Sequence, residues 1–588
     1  MKKQNVLCGL NDEWEYMRSA DGLIQNPRQF MGEWDAIKEW KKPDTAEPLF
    51  LNTESYKNFC EPESLILLGR TGTGKTAILC RLTQRVNDGK YGDYCKAIMI
   101  SFDSILLETK ELLMDYQNSV VLLEMEKLLS IFFCVSVMED VFKDNIDNQE
   151  CVLKIRNYLE NKKILDDKKV TGVDGLIKRG INAIQSIDNR DGKVATMAKE
   201  VVSIAKLITE FKKDGYEEAM EELRTLLGKD NYLILVDSSD LYDLKDAGIV
   251  RCTKALISVC FSFYNNVDQN HIFLKLSLPS EIYTLLVEEL PGKQQENTVI
   301  IQWSKKELIR LAALRLFESS KTNKYGKKVL QFDDRFRYED FYDDTPGSYE
   351  KAMELITSFL PEKSITGINL ICAVDTYLVR HTLKKPRDIM VIFNYLLTKL
   401  YDEKDNEYFL KNPQELHNYI HSSQETMINS ALSMYTKTYK KIADDCFTVL
   451  NGLDFIFDGK QLKDRLKATN SPQYYESGES YLIDKEEIKR ILLESGLVGT
   501  YEREVLMYSS NGNDFEKTEP HNTNNSYRLV EALYEYQVKG RLRFSDENYY
   551  VIHPMCYEHF GCRVRKQTLV FPNRIDDDSK ADLIVKYE

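Results

Sequence analysis

Short, continuous apolar runs alternate along this chain with longer stretches of helical periodicity. Leu65-Ile66-Leu67-Leu68 is the first such run and ends in glycine; others lie at Ala97–Phe102, Tyr232–Val236, His271–Leu278 and Thr298–Trp303. Apolar runs of this length without alternation are the pattern of strands covered on both faces, as in a parallel sheet. Helical patterns separate them, which predicts an α/β fold with right-handed crossovers. Between Phe102 and Tyr232 the periodicity is helical, at Val120–Phe133, Gly175–Phe211 and Tyr216–Leu227. A connection this long reads as a helical insertion, spanning about residues 104–228. After Trp303 the chain turns helical at Lys305–Phe317, Tyr349–Phe359, Gly367–Arg380 and Pro386–Leu400. Asp402–Asn412 reads as a polar linker. A third section begins near Ser422 and ends in Tyr527–Gln537, Gly540–Ser545 and Tyr549–His553, where helices followed by a short hairpin suggest a winged-helix unit.

The expected organisation is a helical lead-in over 1–60, containing Trp14, Trp34 and Trp40, then an α/β core over 61–305. A helical lid over 306–400, a winged-helix-like domain over 422–566 and a tail over 567–588 follow. A chain of 588 residues is long enough for this, at about 150 residues per domain. Its 79 basic and 93 acidic residues give 79 − 93 = −14, which disfavours a mainly electrostatic nucleic-acid binder. No run of about 18 apolar residues exists to span a membrane. Asn11-Asp12-Glu13 interrupts the start of the chain where a signal peptide needs an apolar segment. Twelve scattered cysteines without a CxxC pair fit reduced thiols and a cytoplasmic location.

Gly69-Arg70-Thr71-Gly72-Thr73-Gly74-Lys75-Thr76 matches G-x-x-x-x-G-K-[ST] at every defined position. Its glycines let backbone N–H groups close around phosphates, where a side chain would block the approach. Lys75 is placed to reach the β- and γ-phosphates of ATP, and the Thr76 hydroxyl to hold Mg²⁺. Ala77 opens a helix whose positive end faces the anion. The motif follows an apolar strand and begins a helix, the context its chemistry requires.

A second carboxylate is needed to orient the water shell of that ion. Tyr232–Val236 followed by Asp237 supplies it, although a strand-terminal Asp also caps turns. Ser238 follows where many ATPases place a glutamate, and a serine cannot serve as base near neutral pH. Asp240 is the candidate for orienting the attacking water. Ser277 or Ser280, at the end of the fourth run, is a candidate γ-phosphate sensor; Ser280 also fits a helix N-cap. In Lys384-Lys385-Pro386-Arg387-Asp388, the proline and aspartate mark a helix start. Arg387 in its first turn is a candidate nucleotide contact, against the reading of a solvated arginine.

Together these segments resemble the P-loop ATPases of the AAA+/STAND group, closest to the prokaryotic KAP-like branch common in antiviral defence loci. That branch carries an Asp-Asp/Glu-x-Asp motif after its third core strand. Here Asp237 and Asp240 keep the first and last acids, and Ser238 replaces the second, which weakens the implication of robust hydrolysis. Ile301-Gln302-Trp303-Ser304 resembles the strand-to-lid transition, Pro386-Arg387-Asp388 the sensor-2 helix, and Tyr549–Met555 the second wing strand. The resemblance covers about 60–400 well and 425–565 loosely. It implies a P-loop NTPase sheet with helical insertion, helical lid and C-terminal winged helix. It also implies an oligomerising switch driven or gated by ATP.

Three functions follow as expectations. The first is a regulatory ATPase of bacterial defence whose effector is a separate protein. The second is a DNA-associated ATPase, in which Lys539, Arg541 and Arg543 touch phosphates. The third is a scaffold that holds ATP without turnover. Arg251, Arg310, Arg315 and Arg380 are all candidates for an arginine finger. His417 and His421 have the i, i+4 spacing of a shared metal, but Asn418 stands where a zinc protease needs glutamate. They read as packed or solvated histidines, and His553 as a packed one.

Overall fold

A computed structural model describes residues 28–33, 35–92, 94–102, 119–145, 149–162, 165–166, 169–170, 196–237, 247–267, 271–280, 296–332, 334–365, 370–402, 413–438, 448–469, 473–476, 479–510, 514–516, 526–534, 544–557, 559–563, 568–572 and 584–585. The chain divides into two compact units, one of residues 55–69 and 75–301, the other of residues 1–54, 70–74 and 302–588.

The first unit is α/β. Its strands are β1 (Ile66–Gly69), β2 (Tyr94–Ser101), β3 (Asn231–Asp237), β4 (Ile272–Pro279) and β5 (Thr298–Ile300). They form one all-parallel sheet in the order β2-β3-β4-β1-β5. Every residue of β1 and β4 is buried; β1 accordingly reads as an unbroken apolar run, whereas β4 carries Lys275 and Ser277 within its run. β2, at the sheet edge, is mostly half-buried. The helices are α1 (Glu54–Cys60), α2 (Lys75–Asn87), α3 (Ser119–Asp144), α4 (Leu153–Asn161), α5 (Thr196–Lys212), α6 (Tyr216–Leu227) and α7 (Ala247–Asn265). Between β2 and β3 the described residues hold α3 to α6 and a short antiparallel pair, Leu165–Asp166 with Lys169–Val170; most of Gly175–Phe211 lies outside the described residues, and its end forms α5. α3 packs apolar side chains against two neighbours, Phe132 on Phe211 of α5 at 5.3 Å and Phe133 on Phe263 of α7 at 6.4 Å.

The second unit is held by one large apolar cluster. α8 (Lys305–Thr322) opens with a capping box between Ser304 and Glu307 and is buried along most of its length. α9 (Ser348–Thr357), α10 (Val374–Arg380), α11 (Pro386–Asp402), α12 (Pro413–Ser422) and α13 (Gln424–Thr438) follow. Within Gly367–Arg380, expected to be helical throughout, Leu370–Ala373 is instead a strand. It is β7, between β6 (Lys363–Ile365) and a short strand at Ile584–Val585. Four apolar residues, Leu-Ile-Cys-Ala, carry no period that separates strand from buried helix.

A six-stranded sheet completes this unit: β8 (Ile456–Asp458), β9 (Val498–Ser510), β10 (Asp514–Glu516), β11 (Ser526–Leu533), β12 (Tyr549–Ile552) and β13 (Thr568–Pro572). The order is β8-β12-β9-β11-β13, with β10 on β9. Helices α14 (Gly459–Ala468) and α15 (Lys485–Glu494) accompany it. The section therefore holds more sheet than a single hairpin, and the segment expected as a tail contributes β13. The lead-in is tied down by polar bonds: Asn394 Oδ1 accepts from the N–H groups of Phe30 and Met31, and buried Arg315 donates to both carboxylate oxygens of Glu39. Trp40 is buried; Trp14 and Trp34 lie outside the described residues.

One cation lies inside the first unit's sheet. Lys275 of β4 is fully buried, and its Nζ donates to the carbonyls of Phe59 (2.8 Å) and Glu61 (2.6 Å) at the C-terminal end of α1, where the helix dipole favours positive charge. Desolvation still dominates and pushes its pKa down from 10.5 to about 8. A lysine with a depressed folded pKa binds fewer protons than the unfolded chain between those values, so its burial is least costly at high pH. Wild type should therefore gain stability relative to Lys275→Met as pH rises from 8 to 10.5. Chemical denaturation of both proteins across that range measures it; a pH-independent difference would show that Lys275 keeps the same pKa folded and unfolded.

Candidate functional site

The phosphate-loop sequence runs from the carboxyl end of β1 into α2, at the point where the strand order reverses around β1. That is where open parallel sheets bind ligands. Within the first unit three side chains are joined. The Thr76 hydroxyl donates to Asp237 Oδ2 at 2.8 Å, and the Ser277 hydroxyl donates to Asp237 Oδ1 at 2.7 Å. Register explains the second bond, since Asp237 ends β3 directly beside Ser277 of β4. Asp237 is 8% exposed and Ser277 wholly buried, so the carboxylate is oriented in a largely water-excluded place. Lys75 is buried, and its Nζ donates to the Gly69 carbonyl at 2.9 Å. Ala77, in the first turn of α2, is half-buried.

Residues 70–74 belong by their packing to the second unit, where four segments hold them. Arg70, whose guanidinium is buried, donates to the Glu494 carbonyl at the C-terminal end of α15 and to the Tyr534 carbonyl (3.0 Å). The Trp303 indole N–H donates to the Thr73 carbonyl at 2.9 Å, and the Arg387 N–H to the Gly72 carbonyl at 3.4 Å. Thr73 Oγ1 closes the turn on the Arg70 carbonyl at 2.7 Å. Gly72 has φ +85°, and a Cβ there would stand 3.2 Å from Arg387 Cβ, so both backbone conformation and packing demand glycine. Thr71 and Gly74 are half-buried, Gly74 with φ +98°.

Lys75, Thr76 and Asp237 are brought together with Ser277. Ser277, one of the two candidate phosphate sensors, donates its hydroxyl to Asp237. Ser280 is buried at the end of β4. Arg387 stands in the first turn of α11 against Gly72, and Asp388 beside it accepts from the Leu383 N–H at 2.8 Å. Burial pushes the Asp388 carboxyl above its ordinary value. Asp240, Ser238, Lys539, Arg541 and Arg543 lie outside the described residues.

Three of the four candidate arginine fingers are committed elsewhere. Arg310 donates to the Phe341 and Tyr342 carbonyls and pairs with Asp344 at 3.0 Å. Arg315 holds Glu39, and Arg380 donates to the Val570 carbonyl at 2.8 Å. Arg251 lies on α7, partly exposed. His553 is a packed residue, as expected: it is buried, its Nδ1 accepts from the Met555 N–H at 3.1 Å, and burial holds its pKa down at about 3. Sequence reasoning missed two contributors. Trp303 showed only as part of a strand-to-helix transition, and the Ser277–Asp237 pair needs strand order and register. A serine near the end of the strand expected beside the carboxylate strand was the one available signal.

No helix among the described residues is long and apolar enough to cross a membrane. No protein-family model matches the chain, and neither does any curated protein or solved structure.

Arg70 makes a specific demand on the second unit. Its bonds are charge-assisted and worth about 1.5–3 kcal/mol each where buried. Arg70→Ala should raise amide hydrogen exchange in residues 495–498 and 530–534 by roughly tenfold or more, at about 1.4 kcal/mol per tenfold. Mass-spectrometric exchange of the full chain reads this; unchanged exchange would mean these bonds hold nothing in place.

Proposed function

We propose that this chain is a P-loop ATPase working as a nucleotide-dependent, oligomerising regulatory switch. The observation that carries the reading is the joined set of Thr76, Asp237 and Ser277 beside Lys75, at the carboxyl end of a five-stranded parallel sheet. The Thr76 hydroxyl and Asp237 carboxylate are hard oxygen donors 2.8 Å apart, a pair suited to Mg²⁺. That ion, when bound, neutralises charge developing on the phosphate oxygens. The remaining work belongs to the chain. Lys75 supplies a positive charge to the terminal phosphates, loop N–H groups cradle them, and Ser277 fixes the rotamer of Asp237. Arg387 adds a cation beside Gly72, and Asp240 orients the attacking water.

The helices α8 to α11 serve as the lid in this reading, and the section from α14 to β13 as the winged-helix-like domain. In this reading the switch acts in bacterial antiviral defence, in the cytoplasm and through a separate effector protein; the resemblance to defence-associated ATPases supports it.

Mg²⁺-ATP turnover by the purified chain is the direct test. Lys75→Ala should lose turnover altogether, and Asp240→Asn should lower it about 10²-fold or more, the scale of a lost acid–base or orienting group. Ser277→Ala should cost about tenfold, one hydrogen bond of roughly 1–1.5 kcal/mol. An Asp240→Asn variant with full activity would move the water-orienting role to another residue. Wild type that binds ATP tightly without turning it over would make the chain a ligand-gated scaffold. Mass photometry with and without ATP tests the assembly step.

A further inference from the structure

The chain carries 93 acidic and 79 basic residues, yet one stretch of the second unit runs against that balance. Lys321-Thr322-Asn323-Lys324-Tyr325-Gly326-Lys327-Lys328 holds four lysines and no acid. It covers the end of α8 and most of a short helical turn, Gly326–Val329. All four lysines are exposed.

Cations gather here on a pair of tyrosines. Tyr325 and Tyr401, the latter in the last turn of α11, lie 5.6 Å apart with rings nearly perpendicular, and both are half-buried. The Arg28 guanidinium stands 4.0 Å from the Tyr401 centroid and 5.4 Å from that of Tyr325. Lys324 Nζ stands 4.6 Å from the Tyr325 centroid, and Lys328 Nζ 5.9 Å from that of Tyr401. Among the described residues two carboxylates answer these charges: Asp402 pairs with Arg28 at 2.6 Å, and Glu318 with Lys321 at 3.7 Å. None there pairs with Lys324, Lys327 or Lys328. The Tyr325 phenol registers the excess, since its hydrogen bond to Lys324 and the nearby Arg28 and Lys328 hold its pKa below the ordinary value.

The patch is held in shape by its own bonds, which lowers the entropy lost on binding. Asn323 Oδ1 accepts from the N–H groups of Tyr325 (2.8 Å) and Gly326 (3.2 Å), and Asn323 Nδ2 donates to the Gln29 carbonyl at 2.7 Å. Gly326 is pressed onto α8, where a Cβ would stand 2.3 Å from the Ser319 carbonyl oxygen. Buried Phe30 backs both tyrosine rings, at 6.0 and 6.5 Å. A helix C-terminus favours a cation in its last turn, which accounts for Lys321. It does not account for Lys324, which follows the end of α8, or for Arg28, which precedes the first helix of the unit. Cations fixed this close repel one another unless an anion is shared among them.

The side chains present select the anion. No exposed large apolar side chain belongs to residues 321–328, so the stretch lacks what inserts into a membrane surface. Its one arginine is paired with Asp402, whereas phosphopeptide sites use clustered arginine forks. Lysines as point charges beside aromatic rings are the composition of single-strand sites, where cations follow the backbone and rings meet unstacked bases.

We propose that Lys324, Lys327 and Lys328, with Tyr325 and Tyr401, bind single-stranded nucleic acid through its phosphate backbone. The overall charge of −14 opposes such binding over the rest of the surface and makes the contact local. The site does not use Lys539, Arg541 or Arg543, and it is independent of the nucleotide reading.

The test is fluorescence anisotropy of the full chain with a labelled oligothymidylate, titrated at several salt concentrations. Wild type should bind at low salt, with log affinity falling linearly in log salt. Lys324→Ala/Lys327→Ala/Lys328→Ala should bind at least tenfold more weakly at low salt. Its salt slope should be shallower by about 2, at about 0.7 per phosphate contact on a single strand. The Lys324→Arg/Lys327→Arg/Lys328→Arg variant keeps every charge and should retain both affinity and slope. Tyr325→Leu should weaken binding about tenfold, the scale of one ring–base contact, and leave the slope unchanged. Equal affinity and slope in wild type and the triple-alanine variant overturns the site, as does absence of binding by wild type at low salt. Tighter binding of the matching duplex overturns the single-strand assignment. Binding to phosphatidylserine vesicles without binding to the oligonucleotide assigns the patch to a membrane surface and overturns the proposal.

Discussion

One carboxylate fixes the geometry on which the proposed chemistry rests. Asp237 ends a strand whose last six residues are buried. A lone carboxylate there would be costly to keep charged. Two hydroxyls compensate, Thr76 from the helix that follows the phosphate loop and Ser277 from the adjoining strand. Each bond requires a different layer of the architecture. The first needs β1 to deliver its loop at the level of β3, and the second needs β4 in register beside β3. The order β2-β3-β4-β1-β5 is thus what brings three sequence-distant oxygens together, and the apolar runs are what enforce the order.

The loop itself is built on the opposite principle. Its backbone must stay open to an anion, so few of its own side chains can hold it. Positive φ at Gly72 and Gly74 shapes it, and anchors come from elsewhere in the second unit: Trp303 on Thr73, Arg387 on Gly72, and the carbonyls of Glu494 and Tyr534 on Arg70. Arg70 occupies a position the motif leaves undefined, and here it binds the end of α15 and of β11. A movement of those two elements would change the support of residues 70–74. In the proposed reading this is a physical route by which nucleotide occupancy and the state of the C-terminal sheet bias one another, and such a bias is reciprocal.

Much of this was legible in the sequence, for identifiable reasons. β1 and β3 were visible because burial on both faces leaves their runs almost wholly apolar; β4 stayed legible although it keeps Lys275 and Ser277 within its run. The loop was visible because backbone approach to phosphate admits so few residue types. Leu370–Ala373 was not legible as a strand, since four apolar residues carry no period. Nor was the full extent of the C-terminal sheet, where β11 and β13 pair in parallel across about forty residues of chain. The bond from Ser277 to Asp237 was not legible because a strand-end serine beside a phosphate site and one beside a carboxylate read alike until register is known.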